Sequence, residues 1–107
     1  MQSRKIDSYI GFALRAGEVI FGLDALLAAK KTPFLVLFDA GTGEAGKRKL
    51  KNFAAGRGLR TIECKSGYIA SAVHRDNVKI ISLTGKSLAD AILNCDESGI
   101  ITEVESE

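Results

Sequence analysis

A chain of 107 residues, 46% hydrophobic and 26% charged, has the size and composition of one globular domain with one core, which excludes fibrous and disordered classes. No apolar run approaches the roughly 18 residues of a membrane span, and the polar opening Met1 to Asp7 lacks the apolar segment of a signal peptide, so a cytoplasmic protein without membrane contact is expected. The net charge of +2 conceals an asymmetry: Asp96, Glu97, Glu103, Glu105 and Glu107 crowd the end, leaving a basic body that favours an anionic partner.

Ile6, Tyr9, Ile10, Ala13 and Leu14 recur at helical spacing and predict a first helix over about 4–16, stopped by Gly17. A short strand over 18–21 follows. Gly22 opens a second helix, predicted over 23–31, with Leu23, Leu26 and Leu27 facing inward and Pro33 beyond its end.

Five consecutive apolar residues, Phe34 to Phe38, predict a central strand buried on both faces, and Phe34, Phe38 and Phe53 are read as core. The third helix, about 43–57, turns Gly46, Leu50, Phe53 and Ala54 inward and Lys47, Arg48 and Lys51 outward, and closes at Gly56 and Gly58. A strand over 59–63 comes next, then a short helix with Ser66 as its N-cap and Ile69, Ala72 and Val73 on its inner face. Asp76 and Asn77 make a turn into a strand over 78–83. Thr84 is the expected cap of a last helix with Leu88, Ala91 and Ile92 inside, ending near Asn94; Ile100 to Thr102 would add a weak edge strand.

Strands alternating with helices predict an α/β fold, a three-layer α/β/α sandwich with a mixed four-stranded sheet. The expected organisation is one domain over 1–95 and an acidic tail over 96–107, in a monomeric protein.

Gly41 to Lys47 satisfies the first seven positions of a phosphate-binding loop between a strand and a helix, but Arg48 stands where the magnesium-binding hydroxyl belongs. Nucleotide hydrolysis is therefore disfavoured, and the glycines are read as turn residues. Cys64 and Cys95 with the single His74 cannot form a zinc set or a redox pair, and are read as small buried residues. His74 has no nucleophile near it in sequence and is read as a helix-end residue. No catalytic residue, metal or cofactor is expected. Lys47, Arg48, Lys49 and Lys51, with Lys30, Lys31, Arg57, Arg60 and Lys65, are read as an electrostatic footprint for nucleic acid, several of them near the end of the sheet where the second and third helices begin. The aromatics offer no stacking platform for single strands, with Tyr68 as the one exposed ring expected near Lys65.

From Ile10 to Leu93 the order of elements, with Gly11 to Gly17, Gly22, Phe34 to Ala40, Lys47 to Leu50, Lys65-Ser66 and the strand ending at Leu83, resembles the kink-turn-binding ribosomal protein superfamily of the L-seven-Ae type, in particular its small bacterial ribosomal-protein-like members. The resemblance implies a non-enzymatic protein that binds structured RNA, ribosomal RNA included, through the start of its second helix and adjoining loops. In the family that helix begins Gly-x-Asn-Glu-x-x-Lys; here the corresponding positions are Gly22, Asp24, Ala25 and Ala28. Aspartate keeps an acceptor but loses a donor, and the two alanines offer neither an acceptor nor a charge. Two lost contacts at roughly 1–3 kcal/mol each would weaken kink-turn binding by some two to four orders of magnitude. The expected RNA contacts are Gly22, Asp24, Lys30, Lys47, Arg48, Lys51 and Lys65, made to phosphates more than to bases. The alternative is a protein-interaction module that has kept the sandwich and lost kink-turn recognition, using the Leu23 to Ala29 surface and the acidic tail.

Overall fold

A computed structural model describes residues 5–95. The acidic tail and the weak strand expected at Ile100 to Thr102 lie outside these described residues. The elements are α1 (Lys5–Ala16), β1 (Val19–Phe21), α2 (Leu23–Ala28), β2 (Leu35–Asp39), α3 (Glu44–Arg57), β3 (Arg60–Cys64), α4 (Tyr68–Val73), β4 (Ile80–Leu83) and α5 (Lys86–Cys95).

The four strands form one mixed sheet in the order β1-β4-β2-β3. Both β1 and β2 run antiparallel to β4, and β3 is parallel to β2, so β1, β2 and β3 all point the same way. Every residue of β2 is buried because helices cover both of its faces. Alternation sends Val36 and Phe38 to one layer, where Leu26 of α2 and Leu50 and Phe53 of α3 meet them together with Ile80. Leu35 and Leu37 go to the other layer, against Ile10 and Ala13 of α1, Ile69 and Val73 of α4, and Ala89 and Ile92 of α5. Each Val, Leu, Ile or Phe side chain among them contributes about 1.5–3 kcal/mol by leaving water. The result is the α/β/α sandwich with a mixed four-stranded sheet that the alternation of elements indicates. Among the described residues no helix is long and apolar enough to cross a membrane.

Several local expectations shift. Helix α2 ends at Ala28, three residues before the predicted Lys31, and Ala29 is already extended with ψ 138°. The following residues must reach the start of β2, and extended chain advances about 3.3 Å per residue against 1.5 Å in a helix. Leu27, expected inside, is 40% exposed, and Phe34, expected in the core, is 45% exposed and precedes the strand. In α5 it is Ala89, with Ile92, that is fully buried, while Leu88 and Ala91 are only half-buried.

Two predicted caps are replaced by glycine. Gly67, in the left-handed region at φ 86°, takes the N-cap position of α4 in place of Ser66. At α5, the Gly85 carbonyl accepts the first helical bond from Ala89, and the Thr84 N–H is used by the Glu18 carbonyl. The expected strand 78–83 starts only at Ile80 because Asn77, at φ 74°, completes the turn just before it.

Ser82 sits in the middle of β4, fully buried, and its Oγ has no hydrogen-bond partner among the described residues. A buried hydroxyl without a partner loses its hydration and regains nothing. Ser82→Ala is therefore expected to raise the unfolding free energy by about 1 kcal/mol, read from urea melts; a loss of similar size would mean that the hydroxyl is satisfied.

Candidate nucleic-acid interface

Because β1, β2 and β3 share a direction, their carboxyl ends form one edge of the sheet, and the helices that follow them begin there. Gly22 leaves β1 at φ 90° and ψ 161°, a conformation accessible to glycine, and donates its N–H to the Ile80 carbonyl at 2.8 Å before its own carbonyl accepts from Leu26. Helices α2, α3 and α4 start at Gly22, Gly43 and Gly67, and none of the three has a side-chain cap. A Cβ built on any of these glycines meets nothing within 4 Å. The space beside each glycine is therefore open at this edge, although the Gly22 and Gly67 N–H groups are themselves taken, by the Ile80 carbonyl and the Asp39 carboxylate.

One carboxylate holds the edge together. Asp39, at the end of β2, is 2% exposed. Its Oδ1 accepts from the Gly41 N–H at 2.6 Å and its Oδ2 from the Gly67 N–H at 2.7 Å, so it ties the loop before α3 to the loop before α4. Its own backbone N–H is bonded to the Lys79 carbonyl at 2.7 Å, which brings in the α4–β4 loop. Around the Cα of Gly41 gather Asp39 Oδ1, Ser66 Oγ and Lys79 Nζ, lying 3.0, 3.8 and 3.8 Å from the position of a Cβ there. The same bonds explain why the glycine-rich stretch is not a nucleotide cradle. The Gly41 and Thr42 N–H groups both serve Asp39, and Lys47 pairs with Glu63 at 3.7 Å.

The α4–β4 loop supplies what the spacing did not single out. Arg75 stacks its guanidinium over the Phe21 ring at 4.4 Å, which fixes a cation beside the residue that precedes Gly22. His74 caps the end of α4 in the left-handed region at φ 58°. Tyr68 is half-buried rather than exposed, its hydroxyl bonded to Asp7 of α1. A cation two residues from Asn77 gives no periodic signal; only the pairing of β1 with β4 brings Arg75 to Phe21.

The expected RNA contacts separate into groups. Gly22 and Asp24 stand at the start of α2, and Lys65 at the end of β3, all on the carboxyl edge. Lys47, Arg48 and Lys51 line an open groove of about 380 Å³ beside β3, with Phe38 and Asn52. Glu44 and Glu63 line the same groove, so the only carboxylates between Thr42 and Ser66 both oppose its cations. Lys30 is in neither place: it follows the end of α2 in the connection that carries the chain to the opposite edge.

No protein-family model matches the chain, and no curated protein matches it. Among solved structures, one of a protein with unknown function from Bacillus halodurans C aligns with a TM-score of 0.80 at 17% identity, covering 87% of this chain and 97% of that chain. At that identity the likeness carries the fold.

Proposed function

We propose that the chain is a non-enzymatic, cytoplasmic RNA-binding protein that holds structured RNA at the carboxyl edge of its sheet and along α3, as the resemblance to the kink-turn-binding ribosomal proteins implies. The observation that carries this reading is the convergence of three glycine-started, side-chain-uncapped helices on one edge, flanked by Lys65, Lys79 and an Arg75 fixed on Phe21. Cations beside unobstructed glycine turns suit phosphate oxygens, and at the family's base-reading positions Asp24, Ala25 and Ala28 leave little base readout. Lys47, Arg48 and Lys51 extend the phosphate track along the α3 groove.

Salt titration tests this directly. Neutralising about five phosphates gives a slope of log K against log[salt] on the order of −3.5 to −4.5. A slope near −1 would remove phosphate contacts as the basis of binding.

A second reading is favoured by α2, whose outward face exposes Ala25, Leu27 and Ala28, small and apolar groups suited to close packing. On that reading the same sandwich serves a protein partner.

A further inference from the structure

Among the described residues, the opposite edge of the sheet carries the excess of positive charge. At the carboxyl edge, Lys47, Arg48, Lys65, Arg75 and Lys79 are outnumbered by Asp7, Asp24, Asp39, Glu44, Glu63 and Asp76. At the other edge, where β1, β2 and β3 begin and β4 ends, the strand register aligns Val19, Leu83, Leu35 and Arg60 in a row. Arg15, Lys30, Lys31, Arg57, Arg60 and Lys86 gather at that end. Among the described residues, the carboxylates there are Glu18, which lies against Gly85, and Asp90, bonded to Lys86 at 2.9 Å.

Some of these cations have structural roles. Arg15 and Arg57 sit in the last turns of α1 and α3, where they offset the helix dipole, and Arg57 also stacks on the Phe53 ring at 3.9 Å. Lys86 is taken by Asp90. Lys30, Lys31 and Arg60 remain, exposed and with no ion pair among the described residues. Next to this row, just before Leu35, stands Phe34. Its N–H donates to the Leu83 carbonyl at 2.9 Å, the next residue registers with Arg60, and its ring is 45% exposed.

A single exposed phenylalanine is unremarkable alone. A backbone-anchored, exposed ring at the same end of the sheet as three uncommitted cations offers what an unpaired nucleic-acid strand requires, a face for a base and charges for its phosphates. We propose that this edge binds a single-stranded segment of RNA, with a base stacked on Phe34 and phosphates held by Lys30, Lys31 and Arg60. The inference rests on the RNA reading above and adds a second surface to it, on the far side of the sheet from the start of α2. It also gives Lys30 a role that the carboxyl edge does not.

The test compares one RNA hairpin, blunt and with a ten-nucleotide single-stranded extension, by fluorescence anisotropy. For the full chain the extension is expected to tighten binding about tenfold, the scale of one stacked base. That gain should vanish in Phe34→Ala and in the Lys30→Glu, Lys31→Glu, Arg60→Glu variant, each checked for an unchanged far-UV spectrum. It should persist in a Lys65→Glu, Lys79→Glu variant. Binding of the blunt hairpin with no gain from the extension overturns the second surface and leaves the RNA reading standing. Failure to bind either RNA overturns both. Phe34-dependent binding to phosphatidylglycerol vesicles with no gain from the extension would assign the patch to an anionic membrane surface and also overturn the proposal.

Discussion

Replacing Asp39 by alanine is expected to lower stability by about 2–4 kcal/mol and to loosen the whole carboxyl edge. The buried carboxylate is bonded to the N–H groups of Gly41 and Gly67, on two different loops. Bonds to a charged partner contribute about 1.5–3 kcal/mol each, and the substitution leaves both donors without an acceptor. For a domain of this size the loss corresponds to a fall in Tm on the order of 10–25 °C. Urea melts give the magnitude; hydrogen exchange gives the location. Faster exchange at Gly41, Gly67 and the first turn of α4, with the amides of α1 and α5 little changed, would place the effect at the edge. A loss below about 1 kcal/mol would mean that water replaces the carboxylate at little cost.

The second large effect concerns the ligand. Reversing Lys47, Arg48 and Lys51 to glutamate places three new carboxylates in a groove that already holds Glu44 and Glu63. Losing three phosphate contacts costs about two orders of magnitude in affinity near physiological salt, and reversal adds repulsion, so RNA binding should fall about a hundredfold or more. Lys47 is also the partner of Glu63, so this variant loses an ion pair, but partly exposed pairs contribute only about 0–1 kcal/mol to stability. The fold should survive, and affinity should fall without a matching change in Tm. Unchanged RNA affinity would exclude α3 from the interface.

The layers of the sandwich are legible in the sequence because each core segment carries one clean period. Phe34 to Phe38 reads as a two-faced strand, and Leu50, Phe53 and Ala54 mark the inner arc of α3; all but Phe34 are buried. Phe34 is misread because hydropathy does not reveal where helical cover ends, and α2 stops at Ala28 to let the chain reach β2. Ser66 and Thr84 have the side chains of N-caps, whereas the turns there require a left-handed Gly67 and a Gly85 beneath the Glu18 carboxylate.

The interface was less legible for a different reason. Lys47, Arg48 and Lys51 are neighbours on one helix and can be grouped by spacing, and the fold does bring them together. Glu63 joins them only through the parallel pairing of β3 with β2, and Arg75 reaches Phe21 only through β4. Each depends on which strands are neighbours, and strand order is not carried by any local pattern. Asp39 had a faint signal, a carboxylate directly after a buried strand and before a glycine, which is the position of an Asx-type bond to the residue two ahead.

The most direct measurement is crosslinking in cells followed by sequencing of the bound RNA, for the unaltered chain and for the Lys47, Arg48, Lys51 to glutamate variant side by side. The account predicts a discrete set of structured RNAs for the first and its loss in the second. RNA at background in both, with a stoichiometric protein that co-purifies after nuclease treatment and is released by Leu27→Glu, would contradict it and move the assignment to the outward face of α2.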